Sequence, residues 1–113
     1  MMLSVATGAS ADPSEWAQEI HAKGMEASPD YRAQNRSKVM TVCVTWPETA
    51  TGEPRIHGFG MAMAGDSGKD QPPSELRGPA MNRCVQSASK KDPDCKCEFL
   101  DVNGKNVLQA PSY

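Results

Sequence analysis

Apolar residues alternate most clearly between Lys38 and Trp46, where Met40, Val42, Val44 and Trp46 fall on one side of an extended chain and Thr41, Cys43 and Thr45 on the other. The β-branched content makes this the strongest strand in the sequence. Pro47 ends it, Thr51-Gly52-Glu53-Pro54 supplies a turn, and Arg55 to Ala64 returns as an antiparallel partner through Ile56, Phe59, Met61 and Met63. Gly58 and Gly60 weaken this second strand and mark a bulge or a close backbone contact. Near the C-terminus, Cys95 to Val102 and Lys105 to Gln109 flank Asn103-Gly104, the residue pair that best closes a two-residue hairpin.

Helical spacing appears twice. Asp12-Pro13-Ser14-Glu15 reads as a helix start, with Asp12 as N-cap and Pro13 at the first helical position, and Trp16, Ala17 and Ile20 recur on one face as far as a stop at Gly24. Ser28-Pro29-Asp30 repeats the start signal for one further turn over Tyr31 to Gln34. After Gly78-Pro79, Met81, Cys84, Val85 and Ala88 form the apolar stripe of a helix beginning near Pro79, and Gly65 to Ser74 reads as an exposed loop. The expected order is α-β-β-α-β-β: an α+β domain with a four-stranded, mostly antiparallel sheet, one helix packed on a face and an N-terminal helix whose place nothing local decides.

Composition changes the picture in one respect. The 113 residues are only 38% hydrophobic and 5% aromatic, so the core of a domain this small is thin and gains much from covalent staples. A net charge of −2 gives no electrostatic basis for a nucleic-acid partner, and no run of ~18 apolar residues forms a membrane span. Residues 1–11 end in Ala9-Ser10-Ala11 and resemble the back half of a signal peptide, leaving 12–113 as a single domain.

Four cysteines, an even number in a short chain, are expected to form two disulfides in an exported, periplasmic or secreted protein. Cys95 and Cys97 lie too close in sequence to pair with each other, so each joins Cys43 or Cys84. If the helix runs to about Lys90, Cys84 lies roughly 9 Å from the turn and Cys95 and Cys97 about 7 and 13 Å along the strand, which favours Cys84 with Cys95 and Cys43 with Cys97. The opposite crossing stays open. Cys95-Lys96-Cys97 misses the spacing of structural zinc sites, and no Cys-x-x-Cys opens a helix as a redox site requires.

Two further groups of residues carry candidate chemistry. His57, Met61 and Met63 offer an imidazole and two thioethers, donors that suit Cu(I); with Trp46 on the neighbouring strand they resemble the histidine and Met-x-Met arrangement of small periplasmic copper chaperones, which implies a Cu(I) carrier. Methionine at alternate strand positions also serves as ordinary core filling. His21 has no carboxylate or cysteine at a spacing that would form a catalytic pair, and no nucleophile elbow, phosphate loop or paired-carboxylate motif is present.

Pro79-Ala80-Met81-Asn82-Arg83-Cys84, followed by Asp94-Cys95-Lys96-Cys97 and the Asn103 hairpin, resembles small exported bacterial cysteine-containing domains of unknown function, in which a helix ending near a cysteine precedes a short cysteine-bearing strand. The resemblance implies an exported α+β fold and no activity. Together these features point to a non-catalytic exported binding module without a cofactor, an inhibitor or accessory protein. It recognises another protein through a sheet face or the loop Gly65, Asp66, Ser67, Gly68 and Lys69. The alternatives are the Cu(I) carrier and, last, a small secreted enzyme.

Overall fold

A computed structural model describes residues 13–65, 71–91 and 93–113. Helix α1 (Pro13–Ala27) and a short α2 (Pro29–Ala33) precede strands β1 (Lys38–Thr45) and β2 (Arg55–Met63). Helix α3 (Pro73–Cys84) follows and continues into a π-helical turn at Val85–Ser89, before β3 (Lys96–Val102) and β4 (Lys105–Asn106) complete the chain. The four strands make one antiparallel sheet in the order β2-β1-β3-β4. The expected α+β architecture is present, and it has helices on both faces of the sheet.

The two-sided pattern of β1 explains that arrangement. Met40, Val42 and Val44 pack with Ile20, Tyr31, Leu100 and Leu108 under α1 and α2. Val39 meets Ala62, Leu76 and Ala80 on the α3 side, where Cys43 joins Cys84, Ala88 and Cys95. The strand is buried from Lys38 to Val44 because each face has its own cover. Thr41, on the α3 face, is satisfied there: its hydroxyl donates to the Ala80 carbonyl at 2.8 Å, with the Gly60 carbonyl at 3.2 Å.

Two bulges break the alternation of the strands beside β1. Cys43 pairs with Gly58 and Val44 with Ile56, so His57 is an extra residue in β2; Met40 pairs with Asp101 and Thr41 with Phe99, so Leu100 is extra in β3. The second bulge turns both Leu100 and Asp101 toward α1.

Several local boundaries differ from the sequence reading. Helix α1 passes through Gly24 rather than stopping there, because this glycine is a contact point: a Cβ on it would lie 2.7 Å from Leu100 Cδ2 and 3.0 Å from Met40 Sδ. Helix α3 starts six residues before Pro79, at Pro73, since Pro73-Ser74-Glu75 repeats the Pro-Ser-Glu opening of α1 and Pro79 is accommodated inside the helix. The Asn103-Gly104 turn forms as expected, with φ of 55° and 88°. Strand β4 ends at Asn106 instead of Gln109, because Asn106 Oδ1 accepts the Leu108 N–H at 3.0 Å and turns the chain out of the ladder. Residues 1–11, Asp12, which the sequence assigns as N-cap, and Asp92 lie outside the described residues.

Candidate functional site

All four cysteines are paired, Cys43 with Cys95 and Cys84 with Cys97. This corrects the favoured pairing of Cys84 with Cys95 and Cys43 with Cys97. The α-helix ends at Cys84 and β3 begins only at Lys96, so Cys95 stands at the mouth of the strand beside Cys43, while Cys97, one step inside, lies under the end of α3. The Cα atoms are 5.3 Å apart in the first bridge and 6.1 Å in the second, within the range a disulfide spans.

The predicted copper ligands separate. His57, in the β2 bulge, hydrogen-bonds through Nε2 to Thr45 Oγ1 at 3.0 Å on the α3 side of the sheet. Met61 and Met63 pack on the opposite side against the α1 cluster, where Trp46 also lies, and the Met61 sulfur accepts the Ser28 hydroxyl at 3.1 Å. Of the predicted binding loop, Gly65 is described, with φ of 99°; Asp66, Ser67, Gly68 and Lys69 lie outside the described residues.

A polar cluster that sequence reasoning missed sits under α1. The Asp101 carboxylate is fully buried. One oxygen bonds His21 Nε2 at 2.6 Å, and the other accepts the Tyr31 hydroxyl at 2.5 Å and the Gly104 N–H at 2.9 Å. Burial, then the hydrogen bond to Asp101 and its charge, push the Tyr31 phenol well above the usual tyrosine range, so it remains a donor near neutrality. A histidine oriented by a buried carboxylate is half of a general-base site, and His21 is 18% exposed. Here the carboxylate also ties α2 and the β3–β4 hairpin to α1, and no buried side-chain polar atom among the described residues is left without a partner. The signal was absent locally: His21 and Asp101 are 80 residues apart, and the Leu100 bulge puts Asp101 on the face opposite the one simple alternation from Phe99 assigns.

An open cleft of about 550 Å³ lies between the start of α1 and the C-terminal segment, lined by residues including Pro13, Ala17, Ala50, Leu108, Pro111 and Tyr113. An aromatic group borders it. Trp16 stacks on Trp46 with centroids 6.1 Å apart and meets the edge of Tyr113 at 5.9 Å. Trp46 Nε1 donates to Glu98 at 2.6 Å, and the Tyr113 hydroxyl donates to the Pro47 carbonyl. Tyr113 is thus held at both ring and hydroxyl while remaining 53% exposed.

Among the described residues no helix is long and apolar enough to cross a membrane. No protein-family model matches the chain, and neither a curated protein nor a solved structure matches it.

Proposed function

We propose that the chain is an exported, periplasmic or secreted, non-catalytic module that binds another protein at the cleft between α1 and its C-terminal segment. The observation that carries this reading is Tyr113, an exposed aromatic ring anchored against Trp16 and Pro47 at the rim of a cleft whose proline, alanine and leucine lining is interspersed with Ser14, Gln109 and Ser112. A half-exposed aromatic with little conformational freedom is the kind of residue that dominates protein-binding energetics. The partner chemistry that fits is an extended segment with small apolar side chains and free backbone polar groups. Both sheet faces carry helices, which supports recognition at the rim rather than on a bare sheet face.

Two disulfides in a chain this small fit an oxidising compartment. The copper reading loses its mixed ligand set, since His57 and the two methionines face opposite ways. The fully engaged Asp101 carboxylate supports a structural rather than a hydrolytic role for His21.

A photo-reactive residue at position 113, compared with one at Arg77 on the α3 side, tests the recognition surface in cells that export the protein. A partner trapped only from position 113, and then bound in purified form at least about 30-fold more weakly by Tyr113→Ala, is the expected result. Equal trapping from both positions, or purified binding that Tyr113→Ala leaves unchanged, rejects the cleft. Alkylation of four thiols only after reduction, read by intact mass, is the outcome expected of the exported form.

A further inference from the structure

The two disulfides meet. The sulfurs of Cys43, Cys84 and Cys97 all lie within 4.8 Å of one another, although Cys43 is bonded to neither of the others. Cys95 is bonded to Cys43 but lies outside this group of three, so its sulfur joins the others only by rotating inward once the bond is opened. Backbone elements as well as the bridges position three of these residues. Cys43 and Cys97 are register partners across β1 and β3. Cys84 closes α3, which lies so near the sheet that a Cβ on Gly60 would come within 2.5 Å of the Cys84 nitrogen and 2.6 Å of the Ala80 carbonyl oxygen.

Three of the four corners of a tetrahedral metal centre are thus close together. An ion bound at about 2.3 Å by four thiolates holds their sulfurs about 3.8 Å apart, so three sulfurs already within 4.8 Å of one another must move by about an ångström, a distance that side-chain rotation supplies. The sequence spacing argued against zinc because Cys95 and Cys97 have no second close pair along the chain; the fold supplies that second pair from α3 and β1. Cys43, Cys84 and Cys95 are buried and Cys97 is half-buried, which leaves one side for an ion to enter. Four thiols in an apolar setting have little tendency to ionise alone, and a thiophilic cation provides the compensating charge.

We propose that reduction of both bridges converts this cluster into a tetrathiolate site for a thiophilic d¹⁰ cation, with Cys43, Cys84, Cys95 and Cys97 as ligands. Each disulfide accepts two electrons and yields two thiols: from a dithiol, which passes on its two protons as it closes to its own disulfide, or from a phosphine, which becomes the phosphine oxide while one water supplies the oxygen and both protons. Binding of one divalent ion to the four thiols then releases four protons. This role is separate from protein recognition at the cleft and belongs to the reduced form of the same chain.

The test uses the full chain, reduced with a water-soluble phosphine under nitrogen, freed of reductant, and titrated with Cd²⁺ and then Zn²⁺. The expected result is a thiolate-to-cadmium charge-transfer band that saturates at one equivalent, proton release on binding, and native far-ultraviolet circular dichroism in the loaded protein. Cys84→Ser is expected to weaken binding about 100-fold or more, beyond the loss of an outer partner. Gly60→Val keeps all four thiols but pushes α3 off the sheet, and is expected to weaken binding about tenfold or more through lost convergence. Absence of a one-equivalent endpoint in the reduced wild type overturns the proposal. So does equal affinity in Gly60→Val, because the metal would then be bound by thiols of a chain that needs no fold to gather them.

Discussion

On the α1 face the sheet meets large side chains, Trp16, Ile20, Tyr31, Met40 and Leu100, with one buried polar cluster among them. On the α3 face it meets Val39, Leu76, alanines and four cysteines, and the helix approaches until backbone touches backbone at Gly60. The first face is packed with large apolar side chains; the second is packed with small ones and tied by two covalent bonds. A chain with 38% hydrophobic residues has too few large apolar side chains to furnish both sides of a central strand equally, and here they are concentrated on one side.

The sharpest way to break the α1 face is Asp101→Leu, which leaves the Tyr31 hydroxyl, the Gly104 N–H and His21 without their partner. A loss of about 3–5 kcal/mol in urea unfolding is expected. On the α3 face the comparable lesion is removal of a bridge. Chain-entropy arguments give about 4 kcal/mol for Cys43→Ser with Cys95→Ser, which opens the longer loop, and about 3 kcal/mol for Cys84→Ser with Cys97→Ser, measured in the same way.

Gly60→Ala and Gly24→Ala compare how each face answers an added methyl. At Gly60 it meets backbone, which does not yield, and a loss of about 2–3 kcal/mol is expected. At Gly24 it meets the ends of Leu100 and Met40, which rotate, and the gain in helix propensity offsets part of a loss of about 1 kcal/mol. Thermal melting of the pair reads the difference; equal losses would remove the distinction between the faces.

The smallest effect is alkaline. The Tyr31 phenol binds its proton more tightly folded than unfolded, so its contribution is fully present below the ordinary tyrosine pKa of about 10. It is lost as pH rises beyond that value, with a slope approaching about 1.4 kcal/mol per pH unit. Stability measured between pH 9 and 11 is expected to fall more steeply in the wild type than in Tyr31→Phe.

Much of this was legible in the residues. The alternation in Lys38–Thr45 marked both faces of β1, Asn103-Gly104 marked the hairpin, and an even cysteine count marked two staples. What escaped was set by tertiary contact. A bulge adds one residue and reverses the faces that period-two reasoning assigns, which hid both the inward turn of Asp101 and the separation of His57 from Met61 and Met63. Gly24 carried a stop signal that packing against Leu100 overrode, and the π-helical turn at Val85–Ser89 altered where Cys84 met the returning strand. His21 could not be joined to Asp101 without knowing that α1 lies across β3.

The interleaved pairing of the cysteines bears on how the chain matures. In the order of synthesis Cys43 and Cys84 appear first and Cys95 and Cys97 last, yet neither native bridge joins members of the same pair. Wherever oxidation begins as the polypeptide emerges, Cys43 and Cys84 are the first two thiols able to react, and the bond between them is non-native. A chain caught in that bond needs a later thiol to attack it and exchange partners, so the yield of mature protein is expected to rise with a disulfide isomerase and not with an oxidant alone.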